Sequence, residues 1–394
     1  MIDFKYYAPT RVEFGRESEK KVAELIKMFG GKKVLLHYGG KSAERSGLLA
    51  EVENNLKEGG IEYVKLGGVV PNPRLSLVRE GIELCKNEGI DFLLAVGGGS
   101  VIDSCKAISA GRYFDGDVWD LYLKKARAER YLPIGCILTI PAAGSEMSDG
   151  SVITNEEGWL KKDYCVDEFR CKFAIMNPER TFTLPAWQTA CGVTDMIMHT
   201  FERYFTKDDD MEVTNILAEG LLRTIMSEAH KVMENPTDYA SRAQIMWAGT
   251  LAHNDLTGLG GTGDWATHCL EHELSGMFDV SHGAGLAALW GSWARYTRHE
   301  NLARFVRFAI NVMGVSVADH EDDEAIAEAG IKAMEAFFQS IGMPINIHDL
   351  ISRDITDAEI EEMAVKCSNG GEVTIGGLKT LHKADMIAIY NMAK

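Results

Sequence analysis

Asp195 and His199, in the stretch CGVTDMIMHTFE (191–202), stand one helical turn apart, so a helix there presents both side chains on one face. A second stretch, WATHCLEHELSGMFDVSHGAGLA (265–287), carries His268, then His272 a turn later, and after a break His282-Gly283 at the head of another apolar run. One carboxylate and three imidazoles, Asp195, His199, His268 and His282, form a ligand set suited to a borderline divalent ion such as Zn, Fe or Ni. Each residue alone has a plainer reading. Asp195 lies among Val193, Ile197 and Phe201 and could be buried against an arginine, since an unpaired buried charge is costly. His199 could be a hydrogen-bonded core histidine, and His272 a helix-face one. The combination is what predicts a metalloenzyme. His37, His230, His253, His299, His320, His348 and His382 read as packing or surface residues.

The elements that must hold these groups fall into two halves. A chain of 394 residues exceeds one ordinary core. Buried strands at 33–38, 61–66 and 91–96, a strand and turn within YLPIGCILTIPAAGSE, and KFAIMNP at 172–178 alternate with helical stretches, which implies a parallel, doubly wound sheet. Beyond Leu184-Pro185 the periodicity is helical almost throughout, with helices at 184–205, 211–233, 239–253, 282–297, 301–313, 323–341 and 378–393. The expected organisation is an α/β domain over 1–182 followed by an all-helical domain over 183–394. A formal net charge of −17 argues against a nucleic-acid partner. No apolar run reaches the roughly 18 residues of a membrane span, and the N-terminal stretch lacks the apolar core of a leader. Eight cysteines without a CxxC read as reduced thiols. A cytoplasmic protein with no membrane association is expected.

Gly97-Gly98-Gly99-Ser100 directly follows a buried strand and opens a helix, where backbone N–H groups and the helix terminus suit a pyrophosphate. The run differs from the GxGxxG fingerprint and follows a later strand; a purely structural turn stays open. A second glycine turn, Gly39-Gly40, ends the first strand of the sheet. An acid near such a strand end binds the ribose 2′-hydroxyl of NAD; here HYGGKS supplies none, and Gly39 leaves room for a 2′-phosphate beside Lys41 and Ser42. That favours NADP(H) over NAD(H), with Lys41 as a solvated surface cation the alternative.

These residues carry a family. The chain resembles the iron-containing (group III) alcohol dehydrogenases, and within them the NADPH-dependent butanol dehydrogenase and aldehyde reductase branch. The similarity runs nearly end to end through PTRVEFG (9–15), PNPRLSLVREGIELC (71–85), AVGGGSVIDSCKAI (95–108), IPAAGSEMSDGSVITNE (140–156), KFAIMNPE (172–179), GVTDMIMHTFERYF (192–205) and DWATHCLEHELSG (264–276). It implies a dinucleotide-binding α/β domain like that of dehydroquinate synthase, a helical metal domain, and a homodimer or higher homo-oligomer. It also implies metal ligation by Asp195, His199, His268 and His282, with iron the family's usual ion and Zn or Ni able to replace it. For the cofactor it implies contacts from Gly98, Gly99, Ser100 and Asp103 at the pyrophosphate, from Gly39, Gly40 and Ser42 at the adenosine ribose, and from Asn72, Thr139, Ser151 and Lys161 elsewhere. His272 matches the family's extra histidine near the reacting centre. Three positions depart from the family pattern: Ala143 replaces the threonine of a Thr-Gly-Ser-Glu motif, and Cys191 and Cys269 stand where many relatives have Asn and Arg.

The activity implied is interconversion of primary aliphatic alcohols and aldehydes, with hydride passing to or from the nicotinamide and His272 as proton carrier. Trp265, Trp290 and Trp293 could line an apolar tunnel or fill the core. Rival readings are a glycerol- or diol-type polyol dehydrogenase of the same fold, the lyase chemistry of dehydroquinate synthase, and a catalytically inactive metal- and nucleotide-binding protein. The stretch 250–290 holds no Lys or Arg, which argues against an anionic substrate.

Overall fold

The computed structural model describes residues 1–40 and 42–394; Lys41 and the side chain of Ser42, both expected near the adenosine ribose, lie outside the described residues. The chain forms two compact units, Tyr7–Thr183 and Leu184–Lys394, the second including Met1–Tyr6. Those first six residues read from the sequence as the start of the α/β domain. They group instead with the helical unit, where the Ile2 N–H donates to the Gly260 carbonyl at 3.0 Å.

The strands of the first unit are β1 (Arg11–Phe14), β2 (Lys33–Gly39), β3 (Glu62–Val69), β4 (Phe92–Gly98), β5 (Ile134–Ile140), β6 (Gly150–Asn155), β7 (Leu160–Cys165) and β8 (Phe173–Met176). Among the described residues they make a six-stranded sheet in the order β1-β8-β5-β4-β2-β3 and a separate β6-β7 pair. Every pairing in the larger sheet is parallel. Its central strand β4 is buried along its whole length, as a parallel strand covered on both faces must be. Helices α1 (Val22–Met28) and α2 (Leu48–Glu58) cover one face, where Leu25, Ile26, Val52 and Leu56 join Val34, Leu36, Phe92 and Leu94 in a continuous core. Helices α3 (Leu75–Glu88) and α4 (Gly99–Gly111) pack on each other so closely that a Cβ on Gly81 would lie 2.4 Å from Ile108 Cδ1.

The β4–α4 junction explains its own glycines. A Cβ on Gly97 would come within 2.4 Å of Val101 Cγ2, and one on Gly98 within 2.9 Å of Ile140 Cβ. The strand therefore meets its helix with no room for side chains, and the backbone there stays bare. The antiparallel β6–β7 hairpin, with Ser151 opposite Tyr164 and Thr154 opposite Lys161, was not foreseen. It is anchored by the Thr154 N–H donating to the Pro73 carbonyl at 2.8 Å.

The second unit contains α5 (Ala186–Tyr204), α6 (Glu212–Glu234), α7 (Tyr239–Ala252), α8 (Ala266–Phe278), α9 (His282–Thr297), α10 (Leu302–Asn311), α11 (Asp323–Ser340), α12 (Asp357–Cys367) and α13 (Lys383–Met392). Its core is aromatic. Phe201 stacks on Trp290 at 5.0 Å between ring centroids, Phe205 on Phe305 at 4.5 Å, and Phe308 meets both edges. Trp290 and Trp293 are 0% and 1% exposed, so they fill this core and line no tunnel. Helix α12 and the late start of α13 differ from the sequence reading. Thr356 and Glu359 form a reciprocal capping box that starts α12, whereas residues 375–381 are spent on a bridge between Ile375 and Leu381 before α13 begins. Among the described residues no helix is long and apolar enough to cross a membrane.

His37 offers a test of how the sheet unit is held. It is buried in β2, its Nδ1–H donating to the Leu66 carbonyl of β3 at 2.7 Å while the Ser104 hydroxyl of α4 donates to Nε2 at 2.9 Å. Burial pushes its pKa from 6.5 down to about 4. The unfolded imidazole therefore takes a proton first, so His37 supports folding fully above pH 6.5 and this support is lost as pH falls toward 4. Urea unfolding of wild type and His37→Gln should show the wild type losing about 3 kcal/mol relative to the variant between pH 7 and pH 4. A difference that does not change with pH would refute the assignment.

Candidate metal centre

Three helices converge on Asp195. On α5, Asp195, His199 and Glu202 fall at spacings of four and three residues, which aligns them along one face. Helix α8 supplies His268, Glu271 and His272, and His282 is the first residue of α9. The approach of α9 to α5 is exceptionally close: a Cβ on Gly283 would sit 2.1 Å from the Cys191 carbonyl oxygen. Only glycine allows the head of α9 to rest on the backbone of α5, and that contact seats His282 beside Asp195. Helix α8 is anchored differently. Trp265, preceding its first turn, holds a left-handed φ of 68°, a conformation costly for a bulky residue. Its N–H donates to Glu202 Oε2 at 2.7 Å.

Asp195 Oδ1 lies 3.4 Å from His199 Nδ1, 3.8 Å from His268 Nε2 and 3.7 Å from His282 Nε2. Donor atoms of Asp195, His268 and His282 all fall within 4.8 Å of one another. His199 flanks this trio, its ring 4.7 Å from that of His268 and 3.9 Å from that of His253. The ligand atoms of Glu271, His272 and His282 likewise lie within 4.8 Å of one another, and the His272 ring is 5.8 Å from the His282 ring. The residues fit a resident ion. Asp195 Oδ1, His199 Nδ1 and His268 Nε2 are buried without a hydrogen-bond partner, although buried polar atoms in folded proteins are almost always satisfied. Two ligands on one ion at about 2.1 Å in tetrahedral array stand roughly 3.4 Å apart, close to the spacings seen.

The surrounding charges are consistent with that role. Burial pushes the Asp195 carboxyl up, but the imidazoles of His268, His282 and His253 outweigh it and hold the group below its usual range. Burial, with His268 and the Arg203 guanidinium, drives His199 well below the usual imidazole value. Burial also opposes a charge on His268, yet Asp195 and Glu202 together raise it to about 9. His253 was read from sequence as a packing residue. It is half-buried against His199, and desolvation and His199 together lower its pKa strongly; Arg203 lies 3.2 Å from its Nδ1. Sequence reasoning also passed over Glu202 and Glu271. The spacing of Glu202 from Asp195 and His199 on α5 was the available signal for the first. A charged residue between His268 and His272 was the signal for the second.

In the sheet unit the cofactor candidates gather at the carboxyl ends of the strands, where nucleotides bind in open α/β sheets. Gly98, Gly99 and Ser100 form the β4–α4 junction, and Thr139 is half-buried at the end of β5. A Cβ on Gly39 would meet Val69 O at 3.5 Å and Val101 Cγ2 at 3.8 Å, and one on Gly40 would meet open space. Asp103 braces the junction: its carboxylate accepts from the Ser145 hydroxyl at 2.6 Å and from the Val152 N–H at 3.1 Å. Ser151 is committed to the protein, donating to the Asp103 carbonyl at 2.9 Å and sharing a 2.7 Å hydrogen bond with the Tyr122 hydroxyl. Asn72, at a left-handed φ of 53°, precedes the Pro73 that binds Thr154, the partner of Lys161 across the hairpin. Lys161 is only 5% exposed, so it is no solvated surface lysine.

Known proteins share this sequence and architecture. A family profile described as "Iron-containing alcohol dehydrogenase" matches residues 9–178, and a second, "Fe-containing alcohol dehydrogenase family, C-terminal", matches residues 189–394. The NADH-dependent butanol dehydrogenase A of Clostridium acetobutylicum is 40% identical, with 99% of each chain covered. The NADPH-dependent aldehyde reductase YqhD of Escherichia coli is 35% identical over 89% of each chain. The crystal structure of NADH-dependent butanol dehydrogenase A from Thermotoga maritima superposes with a TM-score of 0.95 at 37% identity, covering 99% of this chain and 98% of that one. The chain belongs to the iron-containing alcohol dehydrogenase family, as a metal-dependent, NAD(P)-linked alcohol and aldehyde oxidoreductase.

Proposed function

We propose that this protein interconverts primary aliphatic aldehydes and alcohols with NADPH as its preferred cofactor, on a metal held by Asp195, His199, His268 and His282. The observation that carries the reading is the buried carboxylate with three imidazole nitrogens 3.4–3.8 Å from one oxygen. When bound, the ion supplies Lewis acidity toward a carbonyl or alcohol oxygen, and the nicotinamide supplies or takes the hydride. The protein's own groups do the rest. Asp195 contributes the negative charge of the ligand set. The His282 side chain, 26% exposed where His268 is 7%, marks the side from which a small substrate enters. His272, half-buried and one turn from His268, is placed to pass a proton between that side and solvent. Trp265, 5.5 Å from His268 by ring centroid, gives an apolar wall.

The cofactor preference rests on Gly39. The end of β2 offers no acid to a ribose hydroxyl and leaves space above Gly39 for a phosphate, and a side chain there meets only ordinary contacts. Asn72, Thr139, Ser151, Lys161, Gly40 and the Gly98–Asp103 segment complete the cofactor set we infer. Assembly as a cytoplasmic homo-oligomer accords with the exposed apolar residues Met1, Ile2, Phe4, Tyr6 and Tyr7 and with eight free cysteines.

Two measurements test these readings. His268→Ala, purified and analysed for metals, should retain less than a tenth of the wild-type ion and lose butanal-dependent NADPH oxidation in step; a metal-free variant with normal turnover would overturn the mechanism. For the cofactor, kcat/KM for NADPH over NADH should exceed one and fall at least tenfold, about 1.4 kcal/mol, in Gly39→Asp through repulsion of the phosphate. An unchanged ratio removes Gly39 from the selection.

A further inference from the structure

We propose that Glu202 and Glu271, which lie outside the ligand set, are positioning residues that fix the tautomer and aim of the two ligand histidines His268 and His282. The inference rests on the metal reading above. Glu202 is 1% exposed and Glu271 fully buried, placements that are costly unless the carboxylates are well bonded. Glu202 Oε1 accepts from His268 Nδ1 at 2.9 Å and from the His268 N–H at 3.0 Å. Glu271 Oε2 accepts from His282 Nδ1 in the same way.

The two contacts repeat one geometry from different helices. In each, the carboxylate takes the Nδ1–H, which obliges the neutral ring to carry its lone pair on Nε2. In each, that Nε2 is the nitrogen turned toward Asp195 Oδ1, at 3.8 Å and 3.7 Å. A ring rotated by half a turn would face Asp195 with the wrong atom, and the carboxylates prevent that. The scaffold makes room for them: a Cβ on Gly285 would lie 2.8 Å from Glu271 Oε1, so a glycine of α9 leaves the space that the Glu271 carboxylate fills. Glu202 also binds the Trp265 N–H, so one side chain sets both the start of α8 and the ring that α8 carries.

Outer carboxylates of this kind are worth about 10–100-fold in metal affinity. The test uses the full chain stripped of metal and titrated with Zn2+ against a chromophoric chelator, and with Co2+ to read the visible d–d bands. Wild type should bind one tight equivalent that His268→Ala abolishes. Glu202→Gln and Glu271→Gln should each weaken Zn2+ binding about 10–100-fold and shift the Co2+ bands, with the far-UV circular dichroism of the metal-free protein retained. Gly285→Ala, which crowds Glu271 without removing it, should weaken binding in the same direction. If Glu202→Gln fails to fold, Glu271→Gln and Gly285→Ala decide the proposal. Zn2+ affinity and Co2+ spectra equal to wild type in the folded variants would overturn it while leaving the metal site standing. A wild type with no equivalent sensitive to His268→Ala would overturn the metal reading itself.

Discussion

The helical unit is organised around one uncompensated oxygen. Asp195 Oδ1 is buried with three imidazole nitrogens 3.4–3.8 Å from it and makes no hydrogen bond with any of them. A carboxylate in that state is costly unless a cation joins it, so the arrangement has to be imposed by the packing of three helices. The Gly283–Cys191 contact brings α9 onto α5. Glu202 ties the first turn of α8 to the same face of α5. The Phe201–Trp290 stack, two residues beyond His199 on α5, locks α5 to α9 from the core side. Each contact lies within about two turns of the ligands it positions, which keeps the error in their placement small.

The third imidazole is held by a different logic. Where His268 and His282 each have a carboxylate behind them, His199 has the His253 ring tilted against it at 3.9 Å and the Arg203 guanidinium donating to its own carbonyl at 3.0 Å. Arg203 is in turn spread over the Trp265 ring at 4.7 Å and paired with Asp255. A neighbouring cation and burial both disfavour protonation of His199, whereas Glu202 favours it on His268. Anionic backing on two rings and cationic backing on the third leave the surroundings net acidic, with Arg203 offsetting part of the charge. Arg203 can sit this near the proposed metal site because it offsets a carboxylate charge while its guanidinium contacts the His199 carbonyl and Asp255, not the candidate ligand atoms.

Local spacing told most where the chemistry is local. Asp195 and His199 are a turn apart, so their shared face is visible in sequence, and the alternation of buried strands with helices before residue 182 was enough for a parallel sheet. Convergence of His268 and His282 on Asp195 is tertiary; the residue types suggested a shared ligand set and the family resemblance supported it, but no spacing contains it. Residues that support the ligands were harder to read. Glu202 sits in TFERYF and resembles a solvent-facing acid of an amphipathic helix; its burial follows from α8 crossing α5, which no periodicity contains. His253 was discounted because one histidine at a helix end carries no spacing signal. Lys161 lies in the charged run LKKD, whose sequence gives no sign of burial; the β6–β7 hairpin places it opposite Thr154. Helix α12 was legible in principle, since Thr356 and Glu359 spell a capping box. The glycines at 97–99 suggested phosphate binding for a reason that proved incomplete: the packing of Val101, Ile140 and Ala143 already excludes side chains there.

The same charge distribution narrows what the site accepts. Beside Asp195 the chain buries Glu202, Asp264 and Glu271, and burial together with Glu202 raises Asp264 to a pKa of about 7. The stretch 250–290 adds no Lys or Arg, and the nearby Arg203 is already engaged with His253, Asp255 and two backbone carbonyls. A substrate bearing a carboxylate or phosphate would enter this field without a counter-charge, and desolvating it would be strongly unfavourable. An uncharged carbonyl or alcohol meets no such penalty, because its oxygen needs only the site's one cationic position and its carbon chain can lie against Trp265. On the function proposed above, the acidic surroundings would both recruit the ion and disfavour an anionic substrate, through Glu202 and Glu271, which contact His268, His282 and the start of α8.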